Sequence, residues 1–231
     1  MLRSIVLLSF LSSSVLPAAT LYTQASTWTS NGSAVGGGSA NQLNNAGTGM
    51  IAYDDFSLAL GGTVTQVTWR GVYSNLPGNA SPNTTDWGLS FYANNGGAPG
   101  SMVGTTVLSN AQVTRTSLGT GELNGVTYDI YEFTANVNAF NAAAGTTYWF
   151  SPLAASASTP PSFAWIHGTG GNGSSLRQTF TNGVMTGNTT TLDLAFTLSG
   201  DLPASGVPEP STAVFVVCGL AGVVVGRMRR G

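Results

Sequence analysis

Lysine is absent from this chain of 231 residues, histidine and cysteine occur once each, and only 7% of positions carry a charge. Each scarcity removes a class of function. Seven basic groups against nine acidic ones give a formal net charge of −2, so the chain lacks the cationic surface that holds a phosphate backbone, and nucleic acid is excluded as a partner. His167 and Cys218 alone cannot make a zinc centre of the usual ligands. Cys218 has no second cysteine for an intramolecular disulfide, so an exported domain would have to rest on a buried core. Long apolar stripes of helical period are missing between Thr20 and Ser205, which argues against a helical domain.

Apolar residues nevertheless make up 42% of the chain, enough to separate it from disordered polymers of low charge. With 31 glycines and many Ser, Thr and Asn, the surface must be wetted by hydroxyls and amides rather than by ions.

The two ends read as addresses. Residues 1–19 carry Arg3, the apolar run from Ile5 to Leu11 and the small residues Ala18 and Ala19, the pattern of a secretory signal peptide cut after Ala18 or Ala19. No cysteine follows the run, so a lipoprotein anchor is excluded. Residues 206–231 carry Val207, Pro208, Glu209 and Pro210, an apolar segment from Ser211 to Gly226, and then Arg227, Arg229 and Arg230. As a helix, that segment spans about 24 Å, shorter than the ~30 Å hydrocarbon core, so flanking residues or local thinning must cover the difference. The arginines predict a cytoplasmic tail with the rest of the chain outside. Pro208 and Pro210 disfavour helix before themselves, leaving an extended, accessible peptide ahead of the membrane helix.

These residues resemble the PEP-CTERM sorting signal of exported proteins of Gram-negative bacteria: a Pro-Glu-Pro motif, a short membrane helix and a basic end. The resemblance covers about the last 25 residues. It implies export by the secretion machinery, anchoring in the inner membrane, and processing near Pro208-Glu209-Pro210 by an exosortase. The released domain would then reach the cell surface or the extracellular matrix.

Residues 20–205 form the expected domain. Period-two alternation bounded by turn residues predicts strands at 51–60, 64–73, 86–93, 102–108, 112–116, 126–134, 146–153, 162–167, 176–181 and 191–199. In the last of these, Leu192, Leu194, Phe196 and Leu198 share one face. Asn124-Gly125, Asn182-Gly183 and Asn94-Asn95-Gly96-Gly97 predict tight turns between antiparallel neighbours. Residues 26–49 read as a loop or loosely held edge, and 136–144 have room for one helical turn. The fold class is therefore all-β: a two-sheet antiparallel β-sandwich, jelly-roll-like, between a signal peptide and a single membrane helix. Tyr53-Asp54-Asp55-Phe56, Val67-Thr68-Trp69-Arg70-Gly71, Gly145-Thr146-Thr147-Tyr148-Trp149-Phe150 and the segment from Asp193 to Gly200 resemble a β-sandwich module found with PEP-CTERM tails. That likeness bears on fold and not on activity.

Chemistry is sparse. His167 is the single base available to a nucleophile, and no Gly-x-Ser-x-Gly elbow accompanies it. Eight carboxylates stand in the domain, at Asp54, Asp55, Asp86, Glu122, Asp129, Glu132, Asp193 and Asp201. Nothing in their spacing pairs two of them for glycoside hydrolysis, and the neighbours Asp54 and Asp55 would point to opposite faces of a strand. No catalytic residue is assigned. No cofactor is required, with calcium a candidate through the oxygens of Asp54, Asp55 and Asp193. Trp28, Trp69, Trp87, Trp149 and Trp165 could each offer a platform to a sugar ring, but most read as core, since Trp87 shares a face with Leu89 and Phe91 and Trp69 and Trp149 lie in similar strands. Trp165, beside His167 and the glycine-rich loop that follows, is the candidate platform for a sugar ring. Arg70, Arg115 and Arg177 against eight acids make polyanionic glycans poor ligands, so the expected polysaccharide is neutral. Three functions follow as expectations: a structural or adhesive surface protein without enzymatic activity, a carbohydrate-binding module using Trp165 and His167, and a glycoside hydrolase.

Overall fold

The structure, a computed structural model, describes residues 18–30, 33–34, 38–74, 84–123, 125–156 and 162–203. The expected signal peptide, Val207-Pro208-Glu209-Pro210, the membrane segment with Cys218, and Arg227, Arg229 and Arg230 lie outside the described residues, save that Ala18 and Ala19 are included. Among the described residues there is no α-helix, and none long and apolar enough to cross a membrane.

Among the described residues sixteen strands follow one another: β1 (Ala19–Ser26), β2 (Ser33–Ala34), β3 (Gly38–Ala40), β4 (Gln42–Asn44), β5 (Gly49–Ser57), β6 (Gly62–Ser74), β7 (Thr84–Asn94) and β8 (Pro99–Ser109). After a 3-10 turn at Asn110–Gln112 come β9 (Thr114–Leu123), β10 (Val126–Ala142), β11 (Thr147–Ser156), β12 (Ser162–Ile166), β13 (Gly168–Thr169), β14 (Ser175–Thr181), β15 (Val184–Thr191) and β16 (Phe196–Asp201). They form two sheets. One runs β13-β1-β16-β6-β10-β9-β2, with β12 beside β6 and β3 beside β12; the other runs β15-β14-β5-β4-β11-β7-β8. Pairing is antiparallel except for β4 on β11 and β2 on β9, which are parallel, so both sheets are mixed rather than purely antiparallel.

Alternation sets the core. In β7, Trp87, Leu89 and Phe91 are buried between the sheets, while Asp86 and Tyr92 turn outward. Trp87 meets Trp69 of β6 edge-on, with ring centroids 5.1 Å apart, and Trp69 stacks on Phe133 of β10 at 5.5 Å. Phe91 lies flat on Phe140 at 4.3 Å. These rings join the two sheets into one apolar layer, each fully buried aromatic stabilising the fold by about 2–3 kcal/mol through area removed from water.

The turns predicted at Asn182-Gly183 and at Asn94-Asn95-Gly96-Gly97 are present, and Asn124 of the third lies outside the described residues. Asn182 and Gly183 both take positive φ (52° and 77°) between paired Thr181 and Val184, the mirror-image turn that suits the twist of a hairpin. Three expectations are corrected. Residues 136–142 continue β10 through a register shift between Asn136 and Phe140 instead of forming a helical turn, because Val137 and Phe140 must both reach the core. The segment 26–49 holds three short strands, with Gln42 of β4 buried and its side-chain oxygen accepting the Phe163 N–H at 2.6 Å. Thr191 ends β15 and residues 192–195 lie outside the strands, with only an isolated bridge from Leu194 to His167: Leu192 is exposed, Asp193 is buried, and β16 begins only at Phe196. The pull of loop amides on Asp193 explains this break.

Candidate functional site

Trp165 sits in β12 opposite Gly71 of β6 and Ser39 of β3. Its ring is fully buried, edge-on to Phe150 and Phe196, and its indole N–H donates to the Ala195 carbonyl at 2.8 Å. No face of the ring is free to receive a sugar, which corrects the expectation of a platform there. Proximity to a glycine-rich loop suggested exposure, but Gly168 packs directly on the backbone of Leu194 and closes the site. His167 is half-buried, and its carbonyl accepts both the N–H and the hydroxyl of Thr27 at 3.0 Å. Trp69, Trp87 and Trp149 are buried, as their strand patterns predict, and Trp28, in the segment expected to be a loop, is buried too.

The acidic residues are more informative. Alternation along β5 sends Asp54 into the sandwich and Asp55 outward. Asp54 Oδ1 accepts the Asp55 N–H at 2.9 Å, and its Oδ2 accepts the Leu194 N–H at 2.6 Å. Asp193 accepts two loop amides, Ser174 N–H on Oδ1 at 2.8 Å and Gly171 N–H on Oδ2 at 3.0 Å. Asp55 Oδ1 accepts the Asn172 side-chain amide at 2.8 Å. Buried Gln24 of β1 completes the group: with Nε2 turned toward Leu194 O and Asp54 Oδ2, each 2.6 Å away, its Oε1 accepts from Tyr22 Oη.

Asp54, Asp55 and Asp193, the three residues proposed for calcium, are thus neighbours. Both oxygens of Asp54, both of Asp193 and Oδ1 of Asp55 already accept N–H donors, and no grouping of three metal-ligating side chains occurs among the described residues. Burial pushes the Asp54 carboxyl up to about 8, with the Asp193 and Asp55 charges adding to the rise and the Leu194 and Asp55 amides opposing it. Burial also raises Asp55 and Tyr22. Gln24 and Gly171 escaped the sequence reading. A glutamine alternating with Tyr22 in a polar run gives no sign of burial, and a Cβ on Gly171 would collide with the Gln24 amide and the Asp193 carboxylate, a constraint visible only in three dimensions.

Among the remaining carboxylates, Glu132 pairs with Arg70 across β10 and β6. Both line a groove of about 260 Å³ on the outer face of the larger sheet. No known protein family, curated protein or solved structure matches the chain. The class that the fold defines is a two-sheet all-β domain with Asp54 and Asp193 buried in it.

Proposed function

We propose that this chain is an exported β-sandwich of jelly-roll-like winding, sorted by an exosortase through Val207-Pro208-Glu209-Pro210 and acting without catalysis as a structural or adhesive component of the cell surface or extracellular matrix. The observation that supports the non-catalytic reading most is the use of Asp54 and Asp193 as acceptors for main-chain amides, which employs the most deeply buried acids of the domain in holding a loop. The threonines on the outer face of the larger sheet, Thr23, Thr68, Thr114, Thr134 and Thr197, suit a protein in contact with hydrated matrix. Arg227, Arg229 and Arg230 would hold the tail in the cytoplasm until processing.

Mass spectrometry of the protein from a Gram-negative host that carries an exosortase tests this. The expected product begins near Ala19 or Thr20, has lost the chain beyond the Pro-Glu-Pro motif, and is found at the surface or in the medium. An uncut chain in the soluble cell interior would overturn the proposal.

A further inference from the structure

The outer face of the larger sheet carries a row of five threonines in register: Thr23 of β1, Thr197 of β16, Thr68 of β6, Thr134 of β10 and Thr114 of β9. Neighbouring strands stand about 4.8 Å apart, so the row extends for roughly 19 Å across the strands. Thr23 and Thr197 share a hydrogen bond of 3.0 Å between their hydroxyls, and Thr68 and Thr134 share one of 3.1 Å. A hydroxyl has one proton and two lone pairs, so each pair consumes one proton internally and keeps one donor and several acceptor sites for a ligand.

Beside this row lies the groove. It forms at the seam where β16 gives way to β12 along one edge of β6, and the small side chains of Ala25 and Ala195 leave it open. At its side, Arg70 donates from Nε (3.0 Å) and Nη2 (2.9 Å) to a single oxygen, Oε2 of Glu132. Glu132 Oε1 and Arg70 Nη1 make no other bond among the described residues, and both side chains are about one-third exposed (33% and 31%). A planar acceptor and a planar donor, side by side and uncommitted, match the adjacent hydroxyls of a sugar, each of which both gives and takes a hydrogen bond. Arg70 and Glu132 are the only charged residues among those lining the groove, and they neutralise one another. An anionic ligand therefore gains no net attraction, and a protein partner finds no large exposed apolar anchor point.

We propose that this groove and the threonine row form a binding site for a neutral polysaccharide, one sugar seated against Arg70 and Glu132 and the following ones lying along the hydroxyls. The site lies on the opposite face of the sheet from buried Trp165 and recognises its ligand by hydrogen bonds rather than ring stacking. It deepens the surface reading above by naming what the domain would adhere to, but its test in solution does not depend on where the protein resides in the cell.

Affinity electrophoresis of the full chain in mild detergent, through gels containing hydroxyethyl cellulose, xylan, galactomannan or polygalacturonate, provides that test. At least one neutral polymer should retard the native protein, and polygalacturonate should not. Thr68→Val with Thr197→Val, which keeps side-chain shape and strand preference, should weaken the affinity at least tenfold, as should Glu132→Gln. Thr189→Val, on the edge strand of the other sheet, should leave it unchanged, and circular dichroism should show all variants folded. The proposal is overturned if no neutral polymer retards the native chain, if the folded double variant is retarded equally, or if the acidic polymer is preferred. An uncut intracellular protein would instead sink the surface reading alone.

Discussion

Leu194 donates its backbone N–H to Asp54 Oδ2 over 2.6 Å, joining β5 of the smaller sheet to the lead-in of β16 in the larger one, 140 residues further along. Beside that bond the Asp193 carboxylate holds the 171–174 loop, so one buried polar group fastens both sheets and the loop between β13 and β14.

A pH dependence of stability follows from Asp54. Its carboxyl titrates near 3.8 when unfolded and near 8 when folded, so the folded state holds more protons between those values. The stability associated with Asp54 is fully present below about pH 4 and is lost as pH rises toward about 8, at a slope near 1.4 kcal/mol per pH unit. Burial raises Asp55 as well, which adds a contribution of the same sign from the acidic end of the window. Urea unfolding followed across this range should show declining stability. Asp54→Asn should flatten the decline, and an unchanged slope in that variant would contradict the assignment.

Removing the Asp193 carboxylate with Asp193→Ala strands the Gly171 amide, at a cost of about 1–3 kcal/mol, and leaves the Ser174 N–H with only its second acceptor, Asn172 Oδ1 at 2.8 Å. The damage should be local. Hydrogen exchange is expected to quicken most at Gly171 and Ser174, while the amides of β6 and β10 keep their protection. Asp193→Asn retains one acceptor oxygen and should fall between the two. Uniform loss of protection throughout the domain would show that this loop is not held separately.

Much of the architecture was legible because burial on a strand obeys strict alternation. Trp87, Leu89 and Phe91 announce their inward face, and Asn182-Gly183 announces its turn through the ease with which both residues adopt positive φ. The segment from Leu192 to Leu198 misled for a physical reason. Its alternation is as regular, but the capture of Asp193 by amides 19 and 22 residues away breaks the strand, and no pattern within the segment records a long-range hydrogen bond. The same limit applies to the threonine row. Thr23, Thr68, Thr114, Thr134 and Thr197 are scattered through the chain, and only strand order and register set them side by side. Trp165 was misplaced because local glycine content signals a loop without saying whether that loop folds inward.

The buried position of Trp165 predicts what its substitution does. Trp165→Ala should cost about 3–5 kcal/mol, since it empties a large core site and removes the indole donor of the Ala195 carbonyl, which keeps only the Arg70 N–H at 3.4 Å. Trp165→Phe keeps most of the volume and should cost less. If either variant remains folded, its retardation by neutral polysaccharide should equal that of the native protein, because Thr68, Thr197 and Glu132 are untouched. A stable Trp165→Ala protein with selectively lost binding would restore the tryptophan as a ligand contact.

Gly71 supplies the sharpest test of how the seam beneath the groove is packed. It lies in β6 opposite Trp165 of β12 and Tyr131 of β10, and a Cβ there would run into the ring of Phe163 and approach the Ala164 carbonyl at 2.8 Å. Its absent side chain therefore makes room for Phe163, which itself packs edge-on against Trp87 at 4.9 Å and Phe133 at 5.6 Å. Within a strand, alanine would ordinarily improve on glycine, so a steric effect and a propensity effect oppose each other here. The collision is with a ring fixed on several sides, so overpacking should win and Gly71→Ala should destabilise the protein by about 1–3 kcal/mol. Combining it with Phe163→Leu, which removes the colliding ring, should make the pair less damaging than the sum of the two single changes. Denaturation midpoints for the two single variants and the double variant measure that coupling, and strict additivity would mean that Gly71 and Phe163 do not touch in the way the structure requires.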